Sequence, residues 1–449
     1  MDRIEQKICD IIEQNQDKIE DFGRDIWKHA ELGYRETRTA GRFAEWLRRL
    51  GVETEEKLAV TGVKGYLNGK GAKGTTIAVM GEFDALPIAA HVDANPETGA
   101  SHCCGHNAQL AGVAGAALAL TDPEVRAAMD GNVVFFGVPS EEFVEVDYKN
   151  GLREQGVIRY GGGKCELIRI GALDDIDITV GHHTMTNVEG DIALAKGTSN
   201  GFVNKMVTYQ GRAAHAAGAP EWGIDAMNAA LLSQHAVDMQ RESFRDADTV
   251  RIHSFISKGA EAVNVIADDV RIEYSVRAKN IEGIRDASRK VDRCLRAGAV
   301  ATGCGLKNIT LPGYLPTIPA PDTRALDEAM DAAAGKYAVD HVGEQHTTGS
   351  TDYGDVSSIM PLLQFQTSGY EGALHHAGIH VTDEYLAYVV TAKIFALTAY
   401  KLLKDGGSYA RALLESYQAV LTKEQYIEYM ESMMTEETLP MEPLPVIGE

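Results

Sequence analysis

The stretch SHCCGHN, residues 101–107, places two cysteines and two histidines within seven residues. Cys104 and His106 carry the thiolate and imidazole groups that bind zinc and similar divalent metals. A zinc finger needs a second pair of ligands about a dozen residues further on, and the sequence has none at that spacing. A buried structural cysteine is the ordinary alternative. A metal site at Cys104 and His106 therefore requires ligands from distant parts of the chain.

Polar side chains follow three apolar runs, residues 75–80, 132–138 and 177–181, at the point where each run ends. Such short runs are typical of strands that are buried on both faces in a parallel sheet. Ligands of open α/β sheets bind beyond the carboxyl ends of the strands, so these side chains are expected to converge on one place. They are Glu82 and Asp84, Glu141 and Glu142, and His182 and His183.

This set of residue types suits the hydrolysis of an amide bond. A bound divalent metal lowers the pKa of water towards about 7 and so provides a nucleophile at neutral pH. Two adjacent glutamates, Glu141 and Glu142, allow one carboxylate to ligate while the other transfers the proton. The segment LHHAGIH, residues 374–380, supplies further imidazoles. The alternative for the glutamate pair is a solvated turn.

The elements around these residues are predicted to include two kinds of sheet. A helix is predicted over residues 108–120 and a fourth buried strand over 362–366, which gives an α/β domain with a mostly parallel central sheet and helices on both faces. Residues 270–277, VRIEYSVR, alternate apolar and polar, as in an antiparallel strand with one wet face. Helical stretches at 223–243 and 280–300 flank that strand. We therefore expect a catalytic domain over residues 1–194, an inserted α+β domain over 195–310 and the rest of the catalytic domain over 311–449, with a further helix from 422 and a loose tail after Thr435.

Composition excludes some partners. The chain has 449 residues and a formal net charge of -22, which disfavours nucleic acid and anionic membrane surfaces as partners. We expect no membrane-spanning helix, because such a helix needs roughly 18 apolar residues in a row and the apolar runs noted above are much shorter. The six cysteines have no framework spacing, so they are expected to be reduced thiols in a cytoplasmic protein.

The ordered set of motifs resembles the clan MH metallopeptidases, in the branch that includes aminobenzoyl-glutamate hydrolases, auxin-conjugate hydrolases and N-acyl-amino-acid deacylases. The motifs are IWKHAELGYRETRTAGRFAEWLRRLG, GEFDALP, HCCGHN, PSEE, GRAAHAAGAPEWGIDA, GSTDYGD and HHAGIHVTDE, between about residue 22 and residue 400. The resemblance implies a di-metal catalytic domain with an inserted lid that also forms a homodimer. It implies two divalent metal ions per subunit, zinc or manganese.

The resemblance also implies individual roles. The metal ligands would be Cys104, His106, Glu142, His183 and His376, with the thiolate of Cys104 bridging the two ions. His376 rather than His375 follows from counting eight residues back from Glu384. Glu141 would be the general base. Asp84 is expected to orient a ligand histidine.

Three residues of the insert match lid positions of the family. His215 would polarise the scissile carbonyl in the active site of the partner subunit, and Asn264 and Arg277 would contact substrate. Arg277 suits a carboxylate by its geometry. The alternatives are an unremarkable loop histidine and a solvated arginine on a strand face.

The sequence departs from the family pattern in places. Many relatives continue the metal motif as G-H-D-x-H, whereas this chain has Asn107 and then Gln109. Phe143 and Val144 follow the glutamate pair where relatives often have glycines, so the substrate is not transferable from any one relative. Cys103 is an extra thiol and is expected to be a buried bystander.

The sequence thus predicts a metal-dependent amidohydrolase that cleaves an N-acyl or aroyl amino acid or a dipeptide-like small molecule with metal-activated water. One alternative is a metal-dependent deaminase of an aromatic or amidine-like substrate. The other is a non-catalytic relative that binds metal or peptide.

Overall fold

The computed structural model describes residues 1–186, 190–343 and 345–443, which divide into two compact units. The first unit comprises Met1–Thr198, Thr317–His346 and Thr351–Lys423, and the second comprises Ser199–Pro316, Thr347–Ser350 and Glu424–Glu449. The insert expected at 195–310 thus lies almost wholly in the second unit. The expectation that all of 311–449 belongs to the catalytic domain needs correction, because the segment from Glu424 onward belongs to the second unit.

The described chain contains both helices and strands, which follow one another in short runs. The helices are α1 (Arg3–Gln14), α2 (Gln16–Lys28), α3 (Thr37–Arg49), α4 (His106–Leu120), α5 (Pro123–Ala127), α6 (Val146–Glu154), α7 (Gly163–Arg169), α8 (Ala226–Asp238), α9 (Ile281–Thr302), α10 (Arg324–Ala333), α11 (Tyr353–Ile359), α12 (Thr391–Leu403), α13 (Ser408–Ser416) and α14 (Lys423–Met433). The strands are β1 (Glu53–Leu58), β2 (Gly62–Tyr66), β3 (Thr75–Glu82), β4 (Leu86–Pro87), β5 (Ala100–Ser101), β6 (Gly131–Val138), β7 (Ile178–Thr184), β8 (Ile192–Leu194), β9 (Thr198–Ser199), β10 (Gly201–Gln210), β11 (Arg251–Lys258), β12 (Asp269–Ala278), β13 (Gly305–Pro312), β14 (Val339–Asp340), β15 (His346–Thr347), β16 (Leu362–Thr367), β17 (Tyr370–Glu371), β18 (His380–Val381) and β19 (Thr435–Leu439).

The first unit is built on an eight-stranded sheet in the order β1-β2-β6-β3-β7-β16-β8-β14. Its central strands β6, β3, β7 and β16 run parallel to one another. These are the four apolar runs of the sequence. They are buried nearly throughout because a parallel sheet is covered on both faces. The predicted α/β class with a mostly parallel sheet is confirmed.

Strand β7 shows directly that helices cover both faces of this sheet. The ring of His182 packs against Phe395 of α12. A side chain at the preceding residue, Gly181, would instead run into Tyr353 of α11. Successive residues of a strand point to opposite faces, so α12 and α11 lie on opposite sides of the sheet.

Helix α4 is the central helix of the first unit. Its sequence, HNAQLAGVAGAALAL, is buried except for partial exposure at Leu118. Small residues allow close packing: a Cβ atom at Gly112 would lie 2.6 Å from Thr391 and 3.1 Å from Phe395. The predicted helix over 108–120 is thus present, and it begins two residues earlier, at His106.

One described helical run, Tyr385–Leu403, is long and apolar enough to span a membrane, with 19 residues and a mean hydropathy of 1.5. The run consists of a π-helical segment, Tyr385–Val390, followed by α12, and its most apolar window is entirely buried within the protein. A helix that is apolar all round in this way is typical of a protein core.

The second unit contains a five-stranded antiparallel sheet in the order β11-β12-β10-β13-β19. In β12 the residues Val270, Ile272, Tyr274 and Val276 are buried and alternate with more exposed neighbours, as the period of two predicts. Helices α8 and α9 pack against each other and against β10 and β12. The unit is therefore α+β.

The C-terminal segment differs from the expected loose tail. Thr435–Leu439 forms β19, which pairs with β13 from Leu306 to Thr310. The side chain of Arg296 in α9 also pairs with Glu437 at 2.7 Å. A short strand rich in Thr and Glu has a weak sequence signal, because its stability comes from pairing with an existing sheet edge.

Candidate metal centre

The polar residues that follow the buried strands meet at one edge of the parallel sheet. Strand β3 ends at Glu82, β6 ends just before the Pro-Ser-Glu-Glu turn, and β7 carries His183 near its end. Because β6, β3 and β7 are neighbouring parallel strands, their carboxyl ends lie side by side. The convergence predicted from the sequence is present.

The Cys-x-His loop reaches the same edge. Gly105 adopts a left-handed conformation with φ of 83°, and a Cβ atom there would lie 2.2 Å from Thr184 Oγ1. Only glycine fits so close to β7 in this conformation. The Cys104 Sγ atom consequently lies 3.4 Å from the Nε2 atom of His183.

Both histidines beside Cys104 direct the same ring nitrogen into the site. The Nδ1 atom of His106 donates to the carbonyl oxygen of Asp84 at 2.8 Å, and that of His183 donates to the carbonyl of Thr184 at 2.7 Å. A neutral ring whose Nδ1 carries the hydrogen leaves a lone pair on Nε2. These rings are therefore set to ligate a metal through Nε2.

His182 faces away from this edge. Its ring is buried against Phe365, and its Nε2 atom lies 2.7 Å from Thr367 Oγ1. The alternation of side chains along β7 thus places only His183 beside Cys104.

Two groups of potential metal donors are present among the described residues. One group contains Cys104, Glu142 and His375, and the other contains Glu82, His106 and Glu141. Within each group the donor atoms lie within 4.8 Å of one another. Thiolate, imidazole and carboxylate donors in this arrangement fit divalent ions such as zinc.

The structure brings His375 into the first group, where the family spacing had indicated His376. The Nε2 atom of His375 lies 3.3 Å from Oε1 of Glu142. Its backbone N–H donates to the carbonyl of Cys103 at 2.8 Å, and its φ of 59° turns the chain towards the Cys-x-His loop. His376 instead accepts the N–H of Gly378 on its Nδ1 atom and is exposed. Among the described residues, the structure thus groups His375, and not His376, with Cys104 and Glu142.

Cys103 is buried and belongs to neither donor group. Its Sγ atom lies 3.2 Å from Ser101 Oγ, and burial raises the pKa of its thiol. The backbone carbonyl oxygen of Cys103 accepts the N–H of His375, so this residue contacts the late histidine loop through its backbone.

Asp84 links the strand end to both sides of the site. Its two carboxylate oxygens accept the backbone N–H groups of Glu141 and Glu142 at 3.0 and 2.9 Å. Its Oδ1 atom also lies 3.4 Å from Nδ1 of His106. Asp84 therefore holds the glutamate turn and the imidazole in a fixed relation.

Burial and neighbouring charges perturb the acid–base groups of the site. Burial raises the pKa of Glu141 well above its usual value, and the carboxylates of Glu82 and Glu142 raise it further. Burial would also raise the pKa of the Cys104 thiol, but the adjacent His183 and His106 rings outweigh it and hold that pKa well below its usual value. A carboxyl with a raised pKa suits proton transfer near neutral pH, and a thiolate suits metal binding.

Two buried lysines beside the site gave no signal in the sequence. Lys164 in α7 contacts Glu82 and Asp352 through its Nζ atom, at 2.5 Å each. Lys149 in α6 donates to the carbonyl of Glu142 at 2.5 Å. A lysine in a polar helical stretch usually faces solvent, so only the folded structure reveals these contacts.

The three residues expected in the lid lie in the second unit. His215 and Asn264 lie on adjacent paired segments: His215 forms a bridge with Val265, and the N–H of Ala216 donates to the carbonyl of Asn264 at 3.0 Å. Both side chains are on exposed residues. Arg277 in β12 is half-buried, with its guanidinium 5.2 Å from the ring centre of Phe202.

The comparisons with known proteins agree on one family. The model of peptidase family M20/M25/M40 matches residues 78–401. The Xaa-Arg dipeptidase of Mus musculus is 26% identical over 467 residues, which covers 95% of each chain. The N-acetylcysteine deacetylase of Bacillus subtilis is 26% identical over 395 residues and covers 85% of this chain and 96% of its own.

Solved structures show the same fold. A Bacillus subtilis protein described as a dinuclear metal-binding peptidase from the M20 family matches with a TM-score of 0.62 and 22% identity, covering 87% of this chain and 99% of its own. The family match spans most of the chain and includes every donor residue of the two groups. The resemblance to clan MH metallopeptidases is thereby confirmed, and the chain belongs to peptidase family M20/M25/M40 and is a hydrolase.

Proposed function

We propose that the protein hydrolyses the amide bond of an N-acyl or aroyl amino acid or of a dipeptide-like small molecule. The observation that carries this proposal is the meeting of two donor groups at one sheet edge, each with one member of the Glu141–Glu142 pair, and with every donor buried except His375. Relatives are named for amide substrates of this kind: an Xaa-Arg dipeptidase, an IAA-amino acid hydrolase and a p-aminobenzoyl-glutamate hydrolase.

Two divalent ions per subunit, zinc or manganese, would be held by five side chains. We assign them to Cys104, Glu142 and His375 on one side and to His106 and His183 on the other, with Cys104 shared. The 3.4 Å separation of Cys104 Sγ from His183 Nε2 supports a shared thiolate. When bound, such ions supply Lewis acidity and lower the pKa of water.

Glu141 is the proposed general base. It is buried in the second donor group, with Glu82 and His106, and its backbone N–H donates to Asp84. Its raised pKa allows it to accept the proton of the attacking water and to return it to the leaving amine.

Residues of the second unit are proposed to bind the substrate. His215 would donate a hydrogen bond to the carbonyl oxygen as charge develops there, and Asn264 would contact the substrate beside it. Arg277 would pair with a substrate carboxylate, since its guanidinium is a planar two-pronged donor.

The second unit is also proposed to form a homodimer, in which His215 serves the active site of the other copy. Strand β11 is an edge strand of its sheet, so its outer backbone groups are available for pairing. Large apolar side chains are exposed on β11 and α8, including Phe255, Leu231 and Leu232. Exposed apolar surface of this kind is typical of a protein interface.

A cytoplasmic location is proposed from the cysteines. All six cysteines are free thiols and all are buried. Unpaired cysteines in this number suit a reducing compartment.

The test is product analysis by mass spectrometry. Metal-replete protein is incubated with a pooled library of N-acyl amino acids, N-aroyl-glutamates and dipeptides, together with aryl amines and amidines. We expect release of free amino acids, and a metal-loaded Glu141→Gln variant is the matched control. Ammonia release from the amines would indicate the deaminase. A metal-replete protein that converts nothing would indicate the non-catalytic relative.

A further inference from the structure

Glu82, at the end of β3, faces the one ring nitrogen of His106 that is available for a metal. Its Oε2 atom lies 3.1 Å from His106 Nε2, and both side chains are buried. Nδ1 of the same ring is already engaged by the carbonyl of Asp84. Among the described residues, Nε2 has no well-aligned hydrogen bond. A buried nitrogen with a lone pair and an adjacent carboxylate oxygen form a pair that a cation would join.

Glu82 is held rigidly in this position. Gln109 in α4 donates to Oε2 at 2.7 Å and accepts the backbone N–H of Glu82 at 3.1 Å. Lys164 contacts the other oxygen, Oε1, at 2.5 Å. These contacts hold both carboxylate oxygens in place, and Oε2 keeps a further lone pair, since each carboxylate oxygen can accept two bonds.

Lys164 alone does not balance the carboxylates around Glu82. Lys164 is buried between two buried carboxylates, Glu82 and Asp352, so this triad carries one excess negative charge when all three groups are ionised. Glu141 adds a further carboxyl oxygen 3.9 Å from His106 Nε2. Excess charge in a buried site is costly unless an opposite charge compensates it. A divalent ion between Glu82 and His106 would supply that compensation.

We propose that Glu82 is an additional metal ligand, which binds through Oε2 the same ion that His106 holds. This inference rests on the proposed function, because it assigns one more donor to the same metal centre. Lys164 and Gln109 are positioning residues: they fix the carboxylate and do not contact the ion. The rival interpretation is a metal-independent ion pair between Glu82 and a protonated His106.

The variants Glu82→Gln and Asp352→Asn separate the two interpretations. Each removes one carboxylate from Lys164, but only Glu82 faces His106. We expect Glu82→Gln to weaken the binding of one of two Zn²⁺ ions by at least about 10-fold in a chelator competition. We also expect it to alter the visible absorption spectrum of the Co²⁺-loaded protein, whereas Asp352→Asn leaves that spectrum unchanged. A wild-type spectrum in Glu82→Gln, or the same spectral change in both variants, overturns the proposal.

A crystal structure of the wild-type protein loaded with Zn²⁺ decides the matter if a variant does not fold. We expect an oxygen of Glu82 at about 2.0–2.2 Å from one ion. A separation beyond about 3 Å would overturn the proposal, because carboxylate ligands do not bind zinc at that distance. If two ions are bound and neither contacts Glu82, this inference is wrong while the proposed function stands. A wild-type protein that binds no ion would defeat the proposed function as well.

Discussion

The Nε2 atom of His375 lies 3.3 Å from Oε1 of Glu142, and the backbone N–H of the same histidine donates to the carbonyl of Cys103. The late histidine loop is therefore joined to the Cys-x-His loop by its backbone and to the glutamate turn by its side chain. These three loops come from distant parts of the sequence, and this contact fixes which of two adjacent histidines reaches the site.

We expect His375→Ala to lower metal content from two ions per chain to about one, and to abolish most activity, because it removes a proposed ligand. His376→Ala is the matched control and should keep both ions, since its ring accepts the N–H of Gly378 and, among the described residues, belongs to neither donor group. Elemental analysis after dialysis measures the metal content. If His376→Ala loses metal and His375→Ala does not, His376 is the ligand, as the family spacing indicates.

The adjacent cysteines give a second matched pair. Cys104→Ser should lose metal and activity, because a hydroxyl is a far poorer ligand than the thiolate that His183 and His106 stabilise. Cys103→Ser should keep both, since its sulfur faces Ser101. Thiol titration and metal analysis on the two variants check this expectation, and equal losses would contradict it.

Glu141→Gln keeps the shape of the side chain but cannot accept a proton. We expect turnover to fall by roughly 10²–10⁴-fold while both ions stay bound. The comparison is Glu142→Gln, which should lose metal because Glu142 is a proposed ligand. If the two variants behave in the opposite way, the roles of the pair are exchanged.

Glu36 should make the metal-free protein less stable as the pH rises. Burial and the nearby Asp84 raise the pKa of Glu36 to about 7 from an ordinary 4.5. The folded state then holds the proton that the unfolded state loses, so stability falls between pH 4.5 and pH 7, by about 3 kcal/mol from this group. Urea unfolding at both pH values, in metal-free wild type and Glu36→Gln, measures the difference. An identical pH dependence in the two proteins would show that Glu36 is ionised in the fold.

Mixing inactive subunits tests the proposed role of His215 across a dimer. His215→Ala should lower kcat by about 10²–10³-fold with metal content unchanged, because its hydrogen bond acts in the transition state. Combining it with Glu141→Gln subunits should restore about a quarter of wild-type activity, since half of the dimers are mixed and each holds one intact site. No recovery, with subunit exchange demonstrated, would exclude a role in the partner's site.

The sequence was sufficient for the sheet and for most of the site because both depend on patterns that a chain displays directly. Continuous apolar runs indicated β3, β6, β7 and β16, and polar residues at their ends indicated the edge where Cys104 and His183 meet. The alternation of side chains along a strand explains why His183 rather than His182 lies there.

Three features required the folded chain. The choice between His375 and His376 depends on one left-handed backbone conformation, which a spacing rule does not represent. Lys164 occurs in an ordinary helical stretch, and its burial follows from the packing of α7 beside the site. Strand β19 has few apolar residues, and it forms because β13 offers an edge to it.

Strand β19 also has a consequence for how copies of this protein can associate. It closes one side of the second sheet with a short strand that carries Glu436 and Glu437, and acidic side chains on an edge strand oppose further pairing. Strand β11, on the other side, presents the apolar residues Phe255 and Ile256 to solvent. Addition of a further strand is therefore favoured at β11 over β19. If the proposed dimer pairs through β11, each copy would occupy that edge of the other, so the assembly would stop at two copies and would not extend into a fibre.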